Sequence, residues 1–166
     1  MKAKPMTRRD ALRLFGAAGA VLGMGSLRAG DAQAQATGPG MPQPDEKVAD
    51  TLKRLFGDRP LQPAGDKVKF DAPMIAENGA VVPVRVDVEL PMAGDDYVKS
   101  IYIISDKNRR PLNTKVSLTP DSGKASVGTN IRLASSTDVR AIAETSKGAL
   151  YETKREVKVT VGGCGG

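Results

Sequence analysis

Between Ala80 and Leu90 the valines Val82, Val84, Val86 and Val88 alternate with Pro83, Arg85, Asp87 and Glu89. A period of two sets one face of a strand on a core and the other in water. Val98 to Ser105 is more continuously apolar, as a central strand should be. Val68–Met74, Val116–Leu118, Ala125–Ala134, Asp138–Thr145 and Ala149–Val161 supply further strands. The turns between them are Glu77-Asn78-Gly79, Asp106 to Pro111, Asp121-Ser122-Gly123, Ser135-Ser136 and Ser146-Lys147-Gly148. Asn78-Gly79 is a strong hairpin signal, predicting that the strands on either side of it pair. Seven or so short strands with such turns predict an all-β fold, an immunoglobulin-like antiparallel β-sandwich over residues 58–161.

Upstream the period changes. Val48, Leu52, Leu55 and Phe56 fall at i, i+4, i+7 and i+8, predicting a short helix over 45–57 that Asp45 caps and Gly57 stops. Its apolar face should cover an edge of the domain's own core or meet a partner. Residues 37–44, with Gly38, Pro39, Gly40, Pro42 and Pro44, have the composition of a linker. Residues 1–36 carry Thr7-Arg8-Arg9-Asp10, then Leu12-Arg13-Leu14-Phe15, a mild apolar run from Gly16 to Leu27, and small-x-small sites at Ala32-Gln33-Ala34 and Ala34-Gln35-Ala36. This resembles a bacterial twin-arginine export signal, although Ala11 stands where an aromatic is usual. A run so short and glycine-rich spans a bilayer poorly. The expected destination is the periplasm, with no membrane attachment after cleavage.

Charge sharpens this division. Of 25 Lys+Arg and 19 Asp+Glu, six basic and two acidic residues lie in 1–36. The rest of the chain carries 19 positive and 17 negative charges, interspersed as on an ordinary solvated surface, which argues against nucleic-acid binding. The chain has no histidine and one cysteine. That excludes Ser/His/Asp and Cys/His nucleophilic machinery, imidazole metal sites, cysteine-cluster zinc and an internal disulfide. Asp95-Asp96 and Asp121-Ser122-Gly123 lack the alternating oxygen ligands of a calcium loop and read as turns. Lys107, Arg109 and Arg110 read as a solvated loop rather than an anion site. No catalytic residue, metal or resident cofactor is expected.

What remains is the end of the chain. Cys164 stands between Gly162-Gly163 and Gly165-Gly166. Glycines accept nearly any backbone conformation and chain ends are mobile unless tied down, so residues 162–166 read as a flexible arm. Extended, five residues reach roughly 17 Å, enough to enter another protein's cleft. The nearest cation in sequence is Lys158, and the Gly166 carboxylate two residues away opposes ionisation. The thiol is therefore expected to be ordinary until it enters a partner's site.

The twin-arginine signal, the small β-rich domain and the valine-rich last strand ending in Gly162-Gly163-Cys164-Gly165-Gly166 resemble the SoxY family, the substrate-carrying subunits of the bacterial Sox thiosulfate-oxidising system. The resemblance implies that Cys164 carries pathway intermediates covalently and that Gly162, Gly163, Gly165 and Gly166 form the arm. It also implies a heterodimer with a SoxZ-type subunit. The implied enzymes are a haem enzyme that conjugates thiosulfate to the thiol, a manganese-dependent hydrolase that releases sulfate, and in some organisms a persulfide dehydrogenase. Two other readings are open on the residues alone. One is an exported scaffold or binding module with an incidental thiol. The other is a carrier of the ubiquitin-like kind, holding sulfur on its last glycine, which the export signal contradicts.

An ordinary thiol makes a direct prediction. The alkylation rate of Cys164, followed against pH in the isolated protein, should rise with a midpoint near the usual cysteine value of about 8.5. A midpoint several units lower would show activation within the chain itself.

Overall fold

The computed structural model describes residues 44–163. The expected export signal, the linker up to residue 43, and Cys164, Gly165 and Gly166 lie outside the described residues. Among the described residues one α-helix, α1 (Val48–Phe56), precedes ten strands: β1 (Leu61–Pro63), β2 (Val68–Asp71), β3 (Ile75–Asn78), β4 (Val82–Val88), β5 (Met92–Ala93), β6 (Asp96–Ser105), β7 (Leu112–Ser117), β8 (Ala125–Ile131), β9 (Thr137–Thr145) and β10 (Leu150–Val161). They form two sheets. The larger runs β1-β10-β9-β6-β5, with β3 also on β10 and β7 also on β6, and the smaller runs β2-β4-β8. The architecture is the expected all-β sandwich.

The alternation in β4 does what its period demands, since Val82, Val84, Val86 and Val88 are all buried. With Val68, Phe70, Ala125 and Ile131 from its neighbours they meet Val98, Ile101, Ile103, Val139, Ala141, Ala143 and Val157 of the larger sheet in one apolar core. The unbroken apolar run of β6 has a different cause, because both faces are covered. Ile101 and Ile103 point into the sandwich, while Tyr102 and Ile104 join Ile142, Leu150 and Phe56 in a second cluster beneath α1. The helix thus covers the outer face of the larger sheet, with Val48, Leu52 and Leu55 packed on that cluster. Phe56 meets Tyr102 edge to face, the ring centres 4.9 Å apart, an arrangement favoured by the ring quadrupoles.

A carboxylate fastens this layer. Glu144 on β9 is only 3% exposed. It accepts hydrogen bonds from Arg59 Nη1 (2.6 Å) and Tyr102 Oη (2.8 Å) and pairs with Lys99 Nζ (3.0 Å). Arg59 also donates to the Phe56 carbonyl (3.0 Å), tying the end of α1 to the sheet. Burial opposes the charge on Glu144, but the bonds from Arg59, Tyr102 and Lys99 together outweigh it and hold the carboxyl below its ordinary value. Tyr102 is pushed up to about 12 by burial and by its bond to Glu144.

Three expectations are corrected. Gly57 ends the helix as expected, with φ 63°, but Asp45 does not cap it. The residue at the N-cap is Lys47, which makes no side-chain cap bond, and Asp45 pairs instead with Arg109 (2.7 Å). The pairing is not wholly antiparallel, because β1 and β3 both run parallel to β10. Finally, Asn78-Gly79 is not a hairpin turn. Of the strands flanking it, β3 pairs with β10 and β4 pairs with β2 and β8, so the pair carries the chain from one sheet to the other.

Replacing Glu144 by Gln should cost about 1–2 kcal/mol at neutral pH, below the usual cost of breaking a fully buried pair because Arg59 and Lys99 remain partly solvated. A carboxyl whose folded pKa is depressed stabilises above its unfolded value and loses that contribution as pH falls through the folded one. Urea denaturation across pH should therefore show a constant gap between the two proteins above about pH 5 and a shrinking gap below about pH 4. A gap independent of pH would remove the carboxylate from this role.

Candidate functional site

The candidate site is the exit of the last strand, which leads to Cys164. Over Leu150–Val157, β10 pairs antiparallel with β9, and over Leu150–Glu152 its other edge carries β1. Past Val157 the ladder to β9 stops and its place is taken by a side chain, Ser136 Oγ accepting from Val159 N–H (2.9 Å). On the opposite edge β3 takes over from β1, aligning Lys158 with Ile75, Val159 with Ala76 and Val161 with Asn78. The Val161 carbonyl then accepts from Gly79 N–H (2.7 Å), and Gly163 N–H donates to the Leu133 carbonyl (2.9 Å). The strand is held up to the residue before Cys164.

Two backbone segments form the holding surface. One is Gly79-Ala80, where Asn78 Oδ1 accepts from Ala80 N–H (2.8 Å). The other is Leu133-Ala134. Leu133 N–H donates to the Gly79 carbonyl (2.7 Å), joining the two walls. Asn108, only 5% exposed, fixes the second wall, with its Nδ2 donating to the Arg132 carbonyl (2.7 Å) and its Oδ1 accepting from Ala134 N–H (3.1 Å). Its own loop is anchored by Arg140, which bonds Asp106 through two nitrogens and Glu152 through a third.

Backbone meets backbone here with no room for a side chain. A Cβ on Gly163 would lie 2.6 Å from the carbonyl carbon and oxygen of Gly79 and 2.7 Å from Ala80 N. One on Gly162 would strike the Ala134 carbonyl, and one on Gly79 would strike the Leu133 carbonyl and come within 2.8 Å of Gly163 N. The three glycines serve close approach. This revises the expected arm, because its first two residues, Gly162 and Gly163, are seated and Gly163 is buried. Cys164, Gly165 and Gly166 lie outside the described residues.

Four large apolar side chains are exposed among the described residues: Met74 and Ile75 beside Lys158 of the last strand, Val81 just before β4, and Val161 at the strand's end. Met74 and Ile75, with Arg155, Glu156 and Lys158, line an open cleft of about 500 Å³. Nothing local in the sequence marks the backbone segments on which Gly162 and Gly163 pack. Gly79 resembled a hairpin glycine, and Asn108 resembled any polar turn residue. Arg109 is paired with Asp45, and Asp121 and Ser122 belong to a short 3-10 turn at Pro120–Ser122 with Thr119 at its cap. Among the described residues, no group of three or more acidic residues is placed to hold a metal ion.

The family model described as sulfur oxidation protein SoxY matches residues 52–164, a span that includes both walls, both seated glycines and the cysteine. A solved structure, the sulfur carrier protein SoxY from Chlorobium limicola f thiosulfatophilum, is similar at 32% identity and a TM-score of 0.58, over 69% of this chain and 97% of that one. A superoxide reductase (neelaredoxin) from Ignicoccus hospitalis shares 21% identity at a TM-score of 0.51, over 56% of this chain and 79% of that one, a likeness of fold alone. Among curated proteins none matches the chain.

Proposed function

The chain belongs to the SoxY family of sulfur oxidation proteins, and from that premise we propose that it carries thiosulfate-derived sulfur covalently on Cys164 and presents it to partner enzymes. The observation that carries the reading is the family match running to Cys164, which follows the last strand, ending at Val161, by three residues. With no histidine in the chain, acid, base and metal chemistry come from the partners.

In this proposal the loading step joins the Cys164 sulfur to the outer sulfur of thiosulfate. The thiol proton leaves and two electrons pass to the haem conjugating enzyme, giving a Cys–S–S–SO₃⁻ adduct. Hydrolysis by the manganese-dependent enzyme adds water across the terminal S–S bond, releasing sulfate and a proton and leaving a persulfide. A persulfide dehydrogenase, where present, oxidises the sulfur that remains. The exposed Met74 and Ile75, beside Lys158 of the last strand, and Val161 at its end offer these enzymes apolar side chains along that strand. A SoxZ-type subunit completes the carrier as a heterodimer.

The expected result is a gain of one S₂O₃ unit in intact mass when the protein is incubated with thiosulfate and the conjugating enzyme, then conversion to a gain of one sulfur on adding the hydrolase. The Cys164→Ser variant should gain nothing. An unchanged mass in the native protein would favour the scaffold reading, and sulfur found on the terminal carboxyl would favour the ubiquitin-like carrier.

Periplasmic export through residues 1–36 belongs to the same proposal. Replacing Arg8 and Arg9 by Lys should leave the protein in the cytoplasmic fraction of the cells that make it. Unchanged recovery from the periplasm would sink the twin-arginine route.

A further inference from the structure

We propose that the open edge of β10 between β1 and β3 is a docking site for a short extended segment of a partner protein. The segment adds as a strand and brings an apolar side chain flanked by carboxylates. The inference stands on the strand edge and the cleft beside it, not on the sulfur chemistry.

The edge follows from the register. Where β1 ends, the Glu152 carbonyl accepts from Ala64 N–H (2.9 Å), and where β3 begins, Lys158 N–H donates to the Met74 carbonyl (2.9 Å). Successive residues of a strand alternate in the edge to which they bond. Lys154 and Glu156 therefore turn their backbone groups to the same side as Glu152 and Lys158. No strand stands opposite them, because β1 reaches only to Glu152 and β3 starts only at Lys158. The other edge of β10 is paired with β9 throughout this stretch. Lys154, Arg155 and Glu156 are all exposed, so the window opens to solvent. From Glu152 to Lys158 an extended chain covers about 20 Å, which admits a short segment and no longer strand.

Unpaired edges are commonly blunted by charge. Here the charges stand beside apolar surface. Met74 and Ile75 are 76% and 63% exposed, and with Arg155, Glu156 and Lys158 they line the open cleft of about 500 Å³. Two adjacent large apolar side chains left in water carry a hydration cost that an occupant of the cleft removes. Charge selects that occupant. Lys154, Arg155 and Lys158 stand around one carboxylate of the window, Glu156, while Asp138 lies beyond it on β9, away from the open edge. Arg155 donates to the Ala72 carbonyl (3.3 Å), and Lys154 reaches Glu152 only at 4.0 Å. These cations favour an acidic segment over a basic one. Strand addition supplies the backbone bonds and the cleft supplies the side-chain preference, as in other edge-docking modes.

The test uses the intact protein and two blocked peptides, acetyl-Glu-Val-Glu-Val-Glu-amide and its analogue with lysine in place of glutamate. In the protein alone the Lys154 and Glu156 amides should exchange with solvent near the free-chain rate, while Arg155 and Val157, which face β9, are protected. The acidic peptide at about nine-tenths saturation should shift the amide resonances of residues 153–157 and slow exchange at Lys154 and Glu156 about tenfold, because only unoccupied protein exchanges. The lysine analogue should do neither. The double variant Met74→Ser, Ile75→Ser changes two exposed positions, so the fold should survive, and it should bind the acidic peptide roughly tenfold more weakly through lost apolar contact. Protection of Lys154 and Glu156 in the protein alone would overturn the proposal: at every concentration it would mean that the chain covers its own edge, and growing with concentration that a second copy does. No response to millimolar acidic peptide, an equal response to the lysine analogue, or an unchanged affinity in the double variant would overturn it too. Because no thiosulfate or sulfur enzyme enters these measurements, a closed edge leaves the carrier reading standing, and a failure to load thiosulfate leaves the docking edge standing.

Discussion

The backbone contact between Gly163 and the Gly79-Ala80 and Leu133-Ala134 segments fixes where the end of the last strand lies. Its strength is modest by construction. Two neutral hydrogen bonds fasten the tail, Gly163 to Leu133 and Gly79 to Val161, and such bonds contribute about 0.5–1.5 kcal/mol each once competition with water is counted. Ordering two residues costs about 1–2 kcal/mol each. These bonds, with the packing of Gly163 backbone against backbone, fasten the end of the last strand to the two segments that flank it.

Packing and ion pairs elsewhere in the molecule set the position of these segments. β6 and β9 are buried on both faces, by the second sheet on one side and by α1 on the other. Glu144 unites Arg59, Lys99 and Tyr102 at the edge of the helix layer, and Arg140 joins the Asp106 loop to β10. These are partly buried charges, and their value lies less in net stability than in fixing one arrangement of neighbouring segments. Through Asp106 and Asn108 that arrangement reaches the wall that receives the tail. A loosely held Leu133 carbonyl would spread the seat over many geometries and weaken its single bond to Gly163.

The elements that could be read from sequence are those whose cause is local. The alternation of β4 and the stop at Gly57 both report forces acting within a few residues, and the continuous apolarity of β6 correctly marked a central strand. β1 and β3 left no such trace, because they are three and four residues long and exist through parallel pairing with a strand roughly ninety residues later. Asn78-Gly79 misled for a related reason. Its glycine has no positive φ, and what requires glycine there is the approach of Leu133 and Gly163, which no local pattern encodes. The tail was legible as a glycine-flanked thiol, but glycine signals freedom and close packing in the same letter. Only the fold separates Gly162 and Gly163, which are packed, from the general expectation of an arm.

That double meaning bears on why glycine is the residue used at the tail root. A Cβ at 162 or 163 collides with backbone that cannot step aside. Alanine at either position would fail by that collision. Proline at 163 would also lose the N–H that Leu133 accepts. Glycine at 162 and 163 is therefore demanded by close packing at the end of the strand, as Gly79 is on the wall that faces it.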